Sequence, residues 1–198
     1  MSDSLDERVR RIYAVLENTG PMQVATIPAI PMSGGGLRYD MTGGLSPEEA
    51  ANLAHSAIHN VASLRDHLRG WARRHKKDPD LVDRAIDGSL SLQIVMDLWD
   101  REKHGPPHHG KGYSGRRPKL DWIDGVLEIR AGPPNSFSGV TFTHDGSPGV
   151  VSGDVSRVIT GSIVDGEGKP LGDLRTRLTE ALAVWERLLA EMSDKQDG

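Results

Sequence analysis

The chain of 198 residues contains no cysteine and no long apolar run. The missing cysteines exclude disulfides, thiolate zinc sites and thiol catalysis within this sequence. No segment approaches the roughly eighteen apolar residues that would span a bilayer. The first residues are polar and lack the apolar centre of a signal peptide. We therefore expect a cytoplasmic protein with no membrane partner.

A large excess of one charge is missing too, since the net charge is only −4. That is not the balance of a protein that coats nucleic acid. The positive excess lies in residues 105–119, which hold four Lys or Arg and no Asp or Glu. Here Lys111, Arg116 and Arg117 could contact phosphate while Tyr113 stacks on a base. The alternative is a solvated connector, which the frequent glycines and prolines favour.

The first half of the chain has helical patterns. Ser46-Pro47-Glu48-Glu49 has the form of a capping box. The apolar residues that follow, spaced by four and three, predict one long helix that ends near His75. A short helix through Ile86 and a third helix from about Ser89 to His104 should follow it.

Two segments precede the long helix. Apolar spacing predicts a short helix over residues 5–16. Residues 21–44 are rich in Gly and Pro, and no Lys-Ser/Thr and helix follow the glycines as a phosphate-binding loop requires. We therefore interpret this segment as a surface loop.

From Leu120 the apolar period changes from helical to strand-like. The pattern predicts strands at Leu120–Ile129 (one or two), Val140–Thr143, Val150–Val151 and Val155–Val164. A regular stripe from Leu171 to Met192 predicts a closing helix.

These elements predict an α+β fold. An N-terminal helical hairpin or bundle should pack with an antiparallel meander of three or four strands, and the last helix should cover that meander. The helical part spans residues 1–104, with a Gly/Pro-rich loop at 20–45. A basic connector spans 105–119, and the meander with its helix spans 120–198. We expect these parts to form one compact domain.

Polar residues follow one strip on each of two predicted helices. At about 100° per residue the long helix places His55, His59 and Asp66 together, opposite its apolar stripe. The third helix likewise aligns Gln93, Asp97, Arg101 and His104. If the strips face each other they form a buried cluster, and if they face water they are ordinary helix surface.

A metal site on these strips would need further ligands. His55 and His59 are four residues apart and could share a metal, with Asp66, His104 or the pair His108-His109 completing the shell. The sequence has no His-Glu-x-x-His pattern. We therefore predict no metal and no cofactor.

The segment Asp97-x-x-Asp100-x-x-Lys103-His104 closes a helix that follows a longer helix with Ser63-Leu-Arg-Asp-His67. It resembles a group of uncharacterised bacterial and phage proteins with an Asp-x-x-Asn-x-x-Lys-His helix end. Those proteins continue into a few strands and a last helix with a Trp, which residues 183–189 match here. Asp100 stands where the group has Asn.

That group is distantly similar to HEPN-type helical domains, some of which are metal-independent ribonucleases with an Arg and a His that four to six residues separate. That spacing fits Arg101 to His108 and also Arg69 to His75. Together with the polar strip of the third helix, it makes Asp97, Arg101, His104 and His108 the candidate catalytic residues. In such a set a carboxylate would hold a histidine that acts as general acid or base. A structural reading of the same residues is a charged helix end whose His104 suits the negative helix terminus.

We therefore carry three functional hypotheses. The leading one is a non-enzymatic interaction or assembly module of a bacterial or phage family, with a homodimer formed through the helix stripes or with another protein partner. One alternative is a HEPN-like metal-independent ribonuclease or toxin-type enzyme. The other is RNA or DNA binding through residues 106–119.

Overall fold

The structure is a computed structural model that describes most of the chain. The described residues are 7–10, 12–13, 29–31, 37–39, 46–105, 112–129, 139–142, 148–152 and 155–194. Most of the Gly/Pro-rich segment 21–44 and the residues His108 and Lys111 lie outside these ranges.

Five helices are described, and their order follows the predicted pattern. Residues 7–10 and 12–13 are helical and belong to α1, within the helix predicted over 5–16. The others are α2 (Pro47–Arg74), α3 (Asp80–Asp87), α4 (Leu90–His104) and α5 (Leu174–Asp194).

The predicted capping box begins α2. The hydroxyl of Ser46 accepts a hydrogen bond from the Glu49 backbone N–H at 3.1 Å, and the Glu49 carboxylate accepts one from the Ser46 N–H at 2.9 Å. These bonds satisfy two N–H groups that have no partner within the helix. The helix ends with His75 as its C-cap residue, as the spacing predicts.

Strands occupy the second half of the chain and part of the predicted loop. They are β1 (Ala29–Pro31), β2 (Leu37–Tyr39), β3 (Lys119–Ile129), β4 (Gly139–Phe142), β5 (Pro148–Ser152), β6 (Val155–Val164) and β7 (Pro170–Asp173). The antiparallel pair β1–β2 lies within residues 21–44, which the sequence suggested to be loop.

The main sheet has three antiparallel strands in the order β3-β6-β7, so the predicted α+β fold is confirmed. Its connectivity differs from a simple meander. β3 pairs with β6 along its whole length, while β4 and β5 form a separate hairpin between them in sequence. β3 and β6 have 11 and 10 residues, so they can pair along their full lengths, which neither could do with one of the short strands.

The start of the last helix differs from the prediction. Leu171, which the apolar stripe assigned to the helix, belongs to β7, and α5 begins only at Leu174. The backbone of Gly172 has a φ of +121°, which a helix does not allow. Asp173 then accepts a hydrogen bond from the Thr176 N–H at 2.9 Å and so caps the new helix.

The core lies where α2, α4 and α5 meet the sheet. At its centre Trp185 of α5 is 1% exposed and donates its indole N–H to the backbone carbonyl of Val61 in α2 at 3.1 Å. The stripes on α2 and α5 contribute Ala54, Val61, Leu64, Leu178 and Leu182 to this cluster. Because these stripes are buried within the chain's own core, they do not form the free dimer surface that the sequence suggested.

His67 joins α1 to α2. Its Nε2 accepts a hydrogen bond from Arg8 at 3.2 Å, so neutral His67 carries its proton on Nδ1. Burial, and then the charges of Arg8 and Arg74, lower the pKa of His67 below 6.5, while Asp66 acts against them. The folded protein therefore holds His67 in its neutral form.

This contact predicts a pH dependence of stability. Because the folded pKa of His67 is lowered, unfolding takes up a proton once the pH falls below about 6.5. The stability of the wild type is therefore fully present above pH 6.5 and decreases as the pH falls towards the folded pKa. In the His67→Gln variant the stability should fall less as the pH is lowered. Urea unfolding of both proteins at several pH values between 7.5 and 5 would measure this difference. Equal slopes for both proteins would contradict the prediction.

Candidate functional site

Asp97 of α4 holds the segment after the helix in place. It is only 8% exposed, and its carboxylate accepts hydrogen bonds from the backbone N–H groups of Tyr113 at 2.6 Å and Ser114 at 2.9 Å. The Ser114 hydroxyl donates a third bond to the same carboxylate. A buried carboxylate is stable only when its oxygens are satisfied in this way. Asp97 therefore fixes residues 112–114 in place by hydrogen bonds.

Gly112 makes these hydrogen bonds sterically possible. Its φ is +65°, and a Cβ atom placed there would lie 2.3 Å from Oδ1 of Asp97. No side chain fits in that space, and a left-handed backbone already favours glycine. The left-handed turn at Gly112 and the position of the Asp97 carboxylate thus depend on each other.

The other predicted catalytic residues do not gather around Asp97. Arg101 is half-buried and His104 is exposed, and neither makes a hydrogen bond or ion pair to another described residue. His108 lies outside the described residues. The carboxylate that was expected to orient a histidine is hydrogen-bonded to the turn instead, because α4 is buried from Ser91 to Leu98 between other elements.

A surface depression lies elsewhere, between α2 and α4. It is an open groove of about 730 Å³. From α2 it is lined by Asn52, His55, Ser56, His59 and Asn60, and from α4 by Trp99, Glu102 and Lys103. The predicted histidine strip therefore does face α4, but it meets the Trp99 side of that helix rather than Asp97 and Arg101.

The Trp99 end of the groove is ordered by two contacts of the indole. Its Nε1–H donates to Nδ1 of His59 at 3.1 Å. The ammonium group of Lys103 lies over the ring, 5.1 Å from its centroid. Such a cation–π contact restrains a long side chain that would otherwise move freely in solvent. His59 and Lys103 are thus positioned before any ligand arrives.

A second contact in the groove joins the two helices, and it is an ion pair only when the His55 imidazole is protonated. Nδ1 of His55 lies 3.1 Å from Oε2 of Glu102, and both side chains are about 40% exposed. This approach lies outside the direction of a good hydrogen bond, so we regard it as an electrostatic contact. A surface pair of this kind stabilises the fold by at most about 1 kcal/mol.

No metal site forms in this region. Asp66 is exposed on α2 and does not line the groove with His55 and His59. Within the ranges that the structure describes, no three His, Asp or Glu side chains come together as a metal would require.

Three of the four predicted nucleic-acid-binding residues, Tyr113, Arg116 and Arg117, lie in the turn that precedes β3. The Tyr113 ring lies under the guanidinium of Arg65, 5.8 Å from its centroid, and burial raises the pKa of the phenol. The Arg116 carbonyl accepts the Gly166 N–H at 3.0 Å, which ties the turn to the β6–β7 connection. Arg116 and Arg117 are exposed.

Acidic residues lie near this turn, but their ion pairs are with other basic residues. Arg65 lies 3.6 Å from Asp83, and Arg69 also pairs with that carboxylate. The β6–β7 connection beside Arg116 contains Asp165 and Glu167. Glu167 pairs with Lys169 at 2.8 Å, and among the described residues no carboxylate forms an ion pair with Arg116 or Arg117.

Sequence reasoning missed the groove residues Trp99, Glu102 and Lys103 as a functional set. Trp99 was assigned to the apolar face of α4 because its indole can serve as core, and it is indeed partly buried against the core. The signal for Asp97 was visible in the sequence, since an Asp within the apolar run 94–98 has to be buried with partners.

No family model, curated protein or solved structure matches this chain in our comparisons. The HEPN resemblance therefore stays a prediction from the short motif. None of the described helices combines the length and apolar character needed to cross a bilayer.

Proposed function

We propose that the protein is a non-enzymatic interaction module that binds a segment of a partner protein in the α2–α4 groove. The observation that carries this proposal is the preorganised Trp99 end, where His59 and Lys103 are both held by the indole. Side chains that are fixed before binding lose less conformational entropy on binding.

The form and chemistry of the groove support a peptide ligand. It is open along its length, so a chain can enter without an end fitting into a closed pocket. Tryptophan is among the residues most often found at binding hot spots, and the polar side chains around it can donate and accept hydrogen bonds. The groove lies on two helices of the core, which gives a rigid surface.

The two alternatives draw less support from the described contacts. A ribonuclease would need a histidine and its carboxylate together, but Asp97 is bonded to Tyr113 and Ser114. Nucleic-acid binding would rest on the exposed Arg116 and Arg117, while Arg65 and Arg69 beside Tyr113 already pair with Asp83, so the positive charge free to meet a phosphate around that ring is small.

Selection from a displayed library of random peptides tests the proposal. We expect enrichment of peptides that bind the wild type but bind Ser56→Trp at least about tenfold more weakly, because the new indole would fill the groove from an exposed position of α2. Ser193→Trp makes the same change at an exposed site on α5 and should leave binding unchanged.

Two outcomes would contradict the proposal. One is a selection in which no enriched peptide distinguishes Ser56→Trp from Ser193→Trp. The other is cleavage of cellular RNA by the wild type in EDTA that His104→Ala abolishes with its fold intact by circular dichroism, which would favour the ribonuclease.

A further inference from the structure

We propose that residues 73–77 at the end of α2 bind the phosphate backbone of a single-stranded nucleic acid, while the His75 ring stacks on one of its bases. This segment, the basic end of α2, reads Arg73-Arg74-His75-Lys76-Lys77. It lies beyond the groove, which α2 lines with residues 52–60, so the inference is independent of the proposed function.

The basic end of α2 is a dense and unpaired positive charge. It holds four Lys or Arg and a His in five consecutive positions, a local excess that the net charge of −4 conceals. Arg73, Arg74 and Lys76 are exposed, and Lys77 is half-buried. None of the four side chains forms an ion pair or a hydrogen bond with a described residue. Such a cluster attracts a polyanion and releases its counterions.

Stabilisation of the helix end does not account for these cations. The carbonyls of Trp71, Ala72 and Arg73 accept backbone N–H groups of residues 75–77 at 3.0, 2.8 and 3.3 Å. The basic side chains are therefore not needed to satisfy them. The helix dipole places only about half a negative charge at this end, so four formal positive charges leave it strongly positive.

The neighbouring carboxylates do not neutralise this charge. Asp78, the next residue, pairs with Arg84 at 2.6 Å. Asp66 lies seven residues before Arg73, which is about 10 Å along the helix. Within residues 66–80 this leaves Asp80 as the remaining acidic residue beside four cations.

The positive surface continues from α2 to α1. Nη1 of Arg74 lies 3.4 Å from the place where a Cβ of residue 70 would stand, so the side chain folds back along the helix. There it is close enough to His67 to lower the pKa of that histidine. Arg8 of α1 binds Nε2 of the same histidine at 3.2 Å. A strand bound at the basic end therefore meets a further cation beside it.

An aromatic pair favours nucleic acid over an anionic membrane. His75 is exposed and stacks on Trp71, with ring centroids 4.3 Å apart. Because Trp71 packs against the core, the imidazole is held in place and its outer face can stack on an unpaired base. Membrane-surface helices instead carry exposed apolar side chains beside their charges. The large exposed hydrophobic residues of the described chain, Leu90, Tyr113 and Trp122, lie outside α2.

Two arginine pairs give a matched test. The full chain is titrated into a fluorescein-labelled thymidylate strand of about 20 nucleotides in about 50 mM salt, and anisotropy reports binding. We expect Arg73→Gln/Arg74→Gln to weaken binding at least about tenfold. Arg116→Gln/Arg117→Gln changes an equally exposed pair before β3 and should alter binding less than about twofold. Equal losses, the reverse order or no binding by the wild type would overturn the inference.

The salt dependence of binding counts the phosphate contacts. Each contact to a single strand contributes about −0.7 to the slope of log affinity against log salt, so four cations predict a slope near −3. Lys77→Gln should reduce its magnitude by about 0.7. A slope near zero for the wild type would contradict phosphate binding.

Lys76→Gly separates binding from stability. The φ of Lys76 is +55°, in the left-handed region that glycine adopts without strain. The midpoint of urea unfolding should therefore rise in this variant, while affinity for the strand falls about threefold. An affinity that stays unchanged would count against the inference.

A last comparison identifies the kind of polyanion. His75→Ala should weaken binding to the thymidylate strand about fivefold but leave binding to an abasic strand of equal length unchanged. Equal losses on both strands would refute stacking by His75. Phosphatidylglycerol vesicles that bind the chain more tightly than the strand does, and lose it with Arg73→Gln/Arg74→Gln, would overturn the inference in favour of a membrane surface.

Discussion

Trp185→Ala is expected to lower the free energy of unfolding by about 3–5 kcal/mol, the largest effect of any change we consider. Trp185 is 1% exposed at the junction of α5 with α2. Its loss would remove the transfer free energy of a large aromatic side chain and leave a cavity that rigid helices fill only in part. Chemical denaturation followed by far-UV circular dichroism would measure this change.

Two further variants separate the causes of this effect. Trp122→Ala makes the same change on β3, where the indole is 50% exposed, and should cost less than about 1 kcal/mol. Trp185→Phe keeps most of the apolar volume but loses the N–H bond to Val61, so an intermediate loss is expected. Equal losses for the Trp185→Ala and Trp122→Ala variants would refute the central position of Trp185.

Gly112→Ala should destabilise the protein by about 2–4 kcal/mol, which is the second large effect. An alanine in the left-handed region costs about 1–2 kcal/mol by itself. Its Cβ would also displace the Asp97 carboxylate, which a Cβ at this position would approach to 2.3 Å. The displaced N–H groups of Tyr113 and Ser114 would then lack a buried partner. Urea unfolding of the Gly112→Ala protein would measure the total loss in the free energy of unfolding.

Gly115→Ala is the matched control for the steric part of this effect. Gly115 has a φ of +69°, but no atom lies within 4 Å of a Cβ built there. Gly115→Ala should therefore lower the free energy of unfolding only by the backbone cost of an alanine in the left-handed region. In an Asp97→Ala background the excess cost of Gly112→Ala should largely disappear, because the two residues act as a unit. An unchanged excess in that background would show that Asp97 is not its cause.

Local signals predicted most of the fold. The capping box at Ser46 and the cap residue Ser89 mark helix starts that depend on neighbours within three residues. The connectivity of the sheet could not be predicted in the same way. The pairing of β3 with β6 depends on contacts between distant segments, and the two-residue apolar period does not specify which strands are neighbours.

The candidate site was predicted only in part. The strip of His55 and His59 was correctly assigned to a polar face of α2, since helical geometry alone places them together. What faces them depends on the rotation of α4 about its axis, which is set by packing. Trp99 faces α2, and Asp97 faces the 112–114 turn. The rotation of a helix about its axis cannot be predicted from the sequence of that helix alone.

The bond between Trp185 and Val61 joins residues that are 124 positions apart. During synthesis α2 and α4 leave the ribosome well before α5, so the part of the apolar side of α2 that packs on α5 stays uncovered until the last helix follows. Domains complete their folding as units, and incomplete cores expose apolar surface that aggregates. The nascent chain is therefore most in need of chaperone protection between the synthesis of α2 and that of α5.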